Sequence, residues 1–464
     1  MSLPETGAET VDVPAFRQIL RALIDHSLHK FIRAEIWPRP AGARRLRIGR
    51  DFSLRDIDYF HEMHPIKERM ALVQFFESNE YLKSHYSPSD LDIWAPLLTA
   101  VLANTEGTEI HERVFDRIFR RYLKELLTPT ITWRQLDTIT GLKCDFNFRL
   151  DNESRVAVLG GWFLRPQLAG QWLDFDHCWL TQEDGVAIIT QQTVPREPLR
   201  HWDGFRRAAA LERSLRILKP GTPRLNAHAV VQVSPFPLRQ PFTFCSDQGH
   251  TRTFEPEVTL GRRDVREVVQ LWKDDTAGWP QVRRADTRLD LARGRFFSTY
   301  GEGTWIQHVL DLTIAIEALI GPKSEGELSY RLATRAAQLL GRRGDPDQRV
   351  YTMVKTMYDA RSKTVHGTPG DESLHAKWLS KISGKPHRWE EGTFKLAVPA
   401  VEEARSVVRS LLVGCGRIAE TQGKGANIRW PLPDDFEHQM MDVKRRRDWQ
   451  KLFPPRVVAA SDEP

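Results

Sequence analysis

The sequence predicts an α+β, multidomain protein with a helical N-terminal region, a β-rich middle and a C-terminal all-α helical bundle. Three observations point there. Residues 14–34 carry apolar side chains at helical spacing. Runs at 155–164, 187–194 and 228–234 are short, β-branched and bounded by Gly, Pro, Asp or Asn. From 283 onward the apolar period is helical almost throughout. At 464 residues the chain exceeds one ordinary domain, and 41% hydrophobic residues supply more than one core.

The N-terminal region, 1–130, opens with PAFRQILRALIDHSLHKFIRA, in which Pro14 suits a first helical turn. Further helical stretches follow near 65–82, 88–104 and 108–127. The middle region, 131–275, holds the strands RVAVLGGWFL, AIITQQTV and HAVVQVS, with one helix near 203–218 between them. Gly278 and Pro280 put the main boundary near 270–280. In 281–420, Asp286–Tyr300 is a first amphipathic helix, and the strongly apolar Thr304–Ile320 stops at Gly321-Pro322. Ser324 stands three residues before Glu327, a capping box for a helix running to Leu340. Asp345-Pro346 supply an N-cap and a first-turn proline for a helix that ends at His366-Gly367. A polar insert at 368–392 precedes a last helix at about 395–419. Residues 421–464 are Pro-rich and charged and read as an irregular tail.

The charge balance narrows the partners. Lys and Arg number 67 against 61 Asp and Glu, a net charge of +6. Residues 1–280 hold 37 of each sign, 281–420 hold 22 basic against 17 acidic, and 421–464 hold 8 against 7. A nucleic acid would therefore be held by a local patch, and 281–420 is the stretch with the excess. The four cysteines are scattered with no CxxC pair, which favours reduced thiols over a disulfide scaffold or zinc ribbon. No apolar run approaches the ~20 residues of a membrane span, and Met1–Val13 lacks the basic and apolar regions of a secretory leader. A cytoplasmic protein with no membrane partner is expected. No GxxxxGK or convincing GxGxxG is present, so no nucleotide cofactor is expected.

One stretch carries a family resemblance. DLTIAIEALIGPKSEGELSYRLATRAAQLL at 311–340, followed by MYDARSKTVHG at 357–367, resembles the HEPN superfamily, and within it the ApeA-like HEPN domains of bacterial defence proteins. The likeness covers roughly 283–420. It rests on the apolar helix with Glu317, the LSYRLATRAA helix, and the Arg-x4-His of Arg361 and His366. Similar spacings occur at Arg21/His26, Arg55/His61 and Arg196/His201, so the helical context supplies the specificity. The resemblance implies an HEPN helical bundle that dimerises, with both motifs lining one cleft, and a metal-independent endoribonuclease without cofactors.

The residue types suit that chemistry. Five helical residues separate two side chains by about 140° and ~7.5 Å, so Arg361 and His366 do not share a face unless the helix ends at Gly367. Histidine can take a proton from a ribose 2′-OH or give one to the leaving 5′-oxygen. A guanidinium can bind phosphate in a bidentate way and stabilise charge building on its oxygens. The bland alternative is a helix end with His on the dipole and Arg in a surface pair. Ser362 and Lys363 are supporting candidates. Glu317, among Ile314, Ile316 and Ile320, requires a partner, either Arg331 or Arg361, and reads as a brace more than a catalyst. Arg331 and Arg335 share a face and could track an RNA backbone or meet an intramolecular partner.

Other clusters are weaker. His61-Glu62-Met63-His64 is not HExxH, and Asp174, Asp176, His177 and Cys178 lie in a strand-like segment, so no metal site is expected. Lys444–Arg447 with Trp449 reads as a solvated charge run that could touch RNA. The expected function is an HEPN endoribonuclease of defence or toxin type acting on RNA, tRNA included. A phage-derived or small-molecule trigger would act at the N-terminal region. The alternative is a non-catalytic HEPN adaptor that dimerises and binds a partner or nucleic acid.

Overall fold

Helices at both ends flank a β-sheet region in the middle, which makes this an α+β protein. The computed structural model describes residues 11–33, 67–86, 97–98, 100–101, 104, 109–160, 184–195, 203–233, 242–245, 257–277, 287–322, 326–367, 372–385, 392–421 and 429–456. They fall into two units. Met1–Ile139, Phe146–Phe205 and Leu225–Asp247 form one; Thr140–Asp145, Arg206–Arg224 and Gln248–Pro464 form the other.

The first unit begins with α1 (Val13–Arg33), α2 (Lys67–Ser78), α3 (Glu80–His85) and α4 (Glu112–Leu126). Their apolar faces meet around Phe16, Leu20, Leu72, Phe115 and Phe119, with Phe16 stacked on Phe75 at 5.1 Å. Burying such large rings is the main driving force for docking these helices. The six-stranded sheet follows, built from β1 (Thr130–Thr140), β3 (Phe148–Arg149), β4 (Ser154–Gly160), β5 (Asp184–Pro195), β6 (Arg224–Gln232) and β7 (Phe242–Cys245). β2 (Leu142–Lys143) belongs to the second unit. The strand order is β3-β4-β5-β1-β6-β7, and β1 pairs antiparallel with β5 over Thr130↔Pro195 to Ile139↔Val186. Sequence patterning names three strands; β1, the long inner one, is additional.

In the second unit β2 pairs in parallel with β8 (Val258–Thr259). The rest is helical: α5 (Gly204–Leu218), α6 (Val265–Thr276), α7 (Thr287–Ser298), α8 (Trp305–Ile320), α9 (Leu328–Leu340), α10 (Gln348–Val365), α11 (Glu372–Ser383), α12 (Gly392–Thr421), α13 (Phe436–Gln439) and α14 (Val443–Gln450). The apolar α8 packs against α7, α10 and α12 and buries Leu312, Ile316 and Leu319. It opens on Thr304, whose hydroxyl accepts the Gln307 N–H while the Gln307 side chain accepts the Thr304 N–H, a closed capping box.

Three local expectations change. Helix α9 starts at Leu328 from a left-handed Glu327 without a side-chain cap, and Ser324 lies outside the described residues. Helix α10 is capped by Asp347, whose carboxylate accepts the Val350 N–H at 3.0 Å, because Asp345 closes a tight turn back onto Arg342. The insert at 368–392 contains α11, which buries Trp378, Leu379 and Ile382.

The tail also differs from its expectation. Residues 429–456 form two short helices that add Trp430, Phe436, Met440, Trp449 and Phe453 to the helical core. The Trp430 indole N–H donates to the Leu319 carbonyl at 2.8 Å, tying this segment to α8. Trp449 is buried against Phe436, so its ring is closed to stacking on a base.

Candidate functional site

Helix α10 carries the Arg361/His366 pair at its C-terminal end. The helix stops at Val365 and His366 occupies the C-cap; its N–H donates to the Ser362 carbonyl and the Gly367 N–H to that of Thr364, both at 3.1 Å. Gly367 follows at φ +68°, the left-handed conformation that glycine adopts without steric cost. His366 itself keeps φ −83° and the helical i→i−4 bond, so the turn away from the helical projection expected at the glycine begins only after its side chain. Its side chain is exposed, and among the described residues no hydrogen bond holds its imidazole. Val365 beside it is also exposed, at 67%.

Arg361 points the other way. Its guanidinium lies over the Tyr358 ring and places Nη1 3.2 Å from Glu317 Oε2 on α8. The contact is an ion pair without hydrogen-bond alignment, because the buried Oε2 has no hydrogen bond. Of the two partners open to Glu317 in sequence, Arg361 is the one that meets it. Arg361 and His366 are not bonded to each other among the described residues. One chain thus presents an arginine facing a carboxylate and a free histidine, separated by the helix end.

The supporting residues divide. Ser362 is half-buried and contributes its carbonyl to the helix cap. Lys363 places Nζ 5.8 Å from the Trp378 ring of α11, an arrangement that favours a cation over an aromatic face. His375 on α11 packs edge-on against Trp305 at 5.3 Å, so this end of α10 is bordered by aromatic rings.

Arg331 is placed elsewhere. Its Nε donates to Glu437 at 2.9 Å, and Arg335 donates to both oxygens of the same carboxylate at 2.8 and 3.1 Å. Arg335 is fully buried and also donates to the Ile320 carbonyl at 3.0 Å. Burial would raise the Glu437 carboxyl; hydrogen bonds from Arg335 and Arg331 outweigh it and bring it down to about 2. This triad is an internal brace between α9 and α13, which answers the choice between RNA contact and intramolecular partner for these arginines.

The remaining candidates lie apart. His61–His64, Arg55/His61, the Asp174–Cys178 cluster and Arg196/His201 fall outside the described residues. Arg21 is engaged with Asp25 and Glu112, an ordinary clamp between α1 and α4. Among the described residues no group of three or more His, Cys, Asp and Glu side chains is arranged to hold a metal ion. No described helix is long and apolar enough to cross a membrane.

The sheet holds a pair that sequence reasoning missed. Asp137 on β1 is buried, bonds to His228 Nδ1 on β6, and accepts from Gln135 Nε2 at 2.7 and 2.8 Å. Burial pushes its carboxyl up against the opposing effect of these bonds. The two residues are 91 apart in sequence, and only the strand pairing brings them together.

Compared with protein-family models, curated proteins and solved structures, the chain matches none.

Proposed function

We propose that the protein is a metal-independent endoribonuclease of the HEPN type, with Arg361 and His366 as its catalytic pair. The observation that carries this reading is the free, exposed His366 at the end of α10, five residues beyond an arginine held by the Tyr358 ring and one ion pair without hydrogen-bond alignment. Residues 281–420 would be an HEPN bundle that dimerises through this end, with the residues that precede it sensing a trigger. The setting would be a cytoplasmic defence or toxin system with RNA, tRNA included, as substrate.

The reaction would proceed within the RNA itself. His366 accepts the 2′-OH proton, the 2′-oxygen attacks phosphorus, and the 5′-oxygen leaves with a proton from a protonated histidine. Arg361 binds the non-bridging oxygens as their charge grows. The products are a 2′,3′-cyclic phosphate and a 5′-hydroxyl. Glu317 positions Arg361 before RNA arrives.

Purified protein is expected to cleave RNA in EDTA, and His366→Ala to lower the rate by two orders of magnitude or more with an unchanged thermal transition. Equal cleavage by the variant overturns the proposal.

The second reading, a non-catalytic HEPN adaptor, is favoured by the engagement of Arg361 with Glu317. It requires His366→Ala and Arg361→Ala to leave the biological phenotype intact while changes at the dimer surface remove it.

A further inference from the structure

We propose that a cavity at the opposite end of α10 is a binding site for a phosphate-bearing anion. The cavity has a volume of about 500 Å³ and is lined by Arg342, Arg343, Arg447, Gln450 and Lys451. That volume lies within the range of small-ligand sites. Four of the five lining residues are cations, and none is acidic.

The site is built, because two segments about a hundred residues apart are locked together around it. Arg342 and Asp345 bridge across a tight turn in which Arg343 and Gly344 take φ of 57° and 92°. A non-glycine residue at positive φ is uncommon and persists where the surroundings enforce it. Here they do. Gly344 N–H donates to Gln450 Oε1 at 2.8 Å, and Gln450 Nε2 donates to the Gln338 and Asp345 carbonyls at 2.9 and 3.1 Å. Arg446 donates to the Gly344 carbonyl, and Arg447 Nε to that of Arg343 at 2.7 Å. At φ 92° a side chain on Gly344 would be strained, and its Cβ would stand 2.8 Å from Val443 Cγ1, so glycine suits a turn this close to α14.

Three of the four cations on this frame, Arg342, Arg343 and Arg447, have no ion-pair partner among the described residues; Lys451 alone has one, with the exposed Asp448 at 2.7 Å. Like charges gathered on a fixed turn and helix repel one another, and a multivalent anion relieves that repulsion. Guanidinium forks match phosphate oxygens in particular. The ligand class is therefore a phosphate anion, either an RNA backbone or a free polyphosphate. Helix α10, 18 residues and about 27 Å long, runs between this turn and His366. The cavity is a separate site and does not rest on the catalytic reading.

The test uses full-length protein carrying His366→Ala, so that RNA is not consumed, with a labelled single-stranded RNA titrated across a KCl series. Tripolyphosphate is titrated calorimetrically into the same protein. Both are repeated with Arg342→Glu/Lys451→Glu and with the milder Arg342→Gln/Lys451→Gln, each checked for an unchanged thermal transition. If RNA is the ligand, the charge-reversed variant binds it about tenfold or more weakly, and the salt slope falls by about 1.4 for two lost phosphate contacts. If free polyphosphate is the ligand, RNA binding is unchanged and tripolyphosphate binding is lost in both variants. Unchanged RNA binding together with no variant-sensitive tripolyphosphate binding overturns the proposal.

Discussion

Arg335 and Arg361 each meet a glutamate from another helix, yet the two contacts are physically opposite. Arg335 is fully buried, donates to both oxygens of Glu437 and to two backbone carbonyls, and lies over the Phe436 ring at 5.5 Å. Arg361 also lies over a ring, Tyr358 at 5.6 Å, but makes one polar contact of 3.2 Å without hydrogen-bond alignment, in a pair whose side chains are 28% and 34% exposed. Every donor direction on the first arginine but a small remainder is spent inside the protein. On the second, no donor is committed to a hydrogen bond among the described residues. A fully satisfied buried pair braces; a loosely held, half-exposed one can exchange its carboxylate for a phosphate.

The largest expected effect follows from breaking the brace. Arg335→Ala leaves Glu437 and the Ile320 carbonyl with lost partners inside the protein, and it should lower stability by about 3–5 kcal/mol in urea unfolding. A loss below about 1 kcal/mol would make the two pairs alike. The brace also predicts an acid limb. Glu437 titrates near 2 when folded, against an ordinary 4.5, so its stabilisation is complete above 4.5 and lost as pH falls toward 2. The urea midpoint should fall through that window, and Glu437→Gln should flatten the fall; an unchanged limb contradicts it.

The Arg361 pair sits at the small end of the scale. Glu317→Gln should change stability by less than about 1 kcal/mol, as for other half-exposed pairs. Its RNA cleavage rate should shift while melting does not, since Arg361 loses its positioning carboxylate. A large stability loss with unchanged cleavage would class this pair with the brace.

The contrast also shows what was legible in sequence. The helical ends, the β middle, the stop at Gly321 and the His366-Gly367 terminus are set by neighbouring residues, and local pattern reads them. The proposal of Arg361 and His366 also came from local sequence; the elements beyond such local reading are of another kind. The Glu437 triad was not legible, because its members are joined across 102 to 106 residues. Strand β1 hid because its inward positions include Gln135 and Asp137, which interrupt the apolar alternation. Helices α11 and α14 hid behind polar flanks, although Trp378, Leu379 and Ile382 recur at helical spacing. The basic cavity required the fold to bring Arg343 to Arg447.

The most direct measurement of the central claim is the chemistry of the RNA ends produced in EDTA. Wild-type protein should leave 2′,3′-cyclic phosphate and 5′-hydroxyl ends, and neither His366→Ala nor Arg361→Ala should produce them above background. Ends bearing 3′-hydroxyl and 5′-phosphate, or cyclic phosphate ends formed equally by both variants, would contradict it.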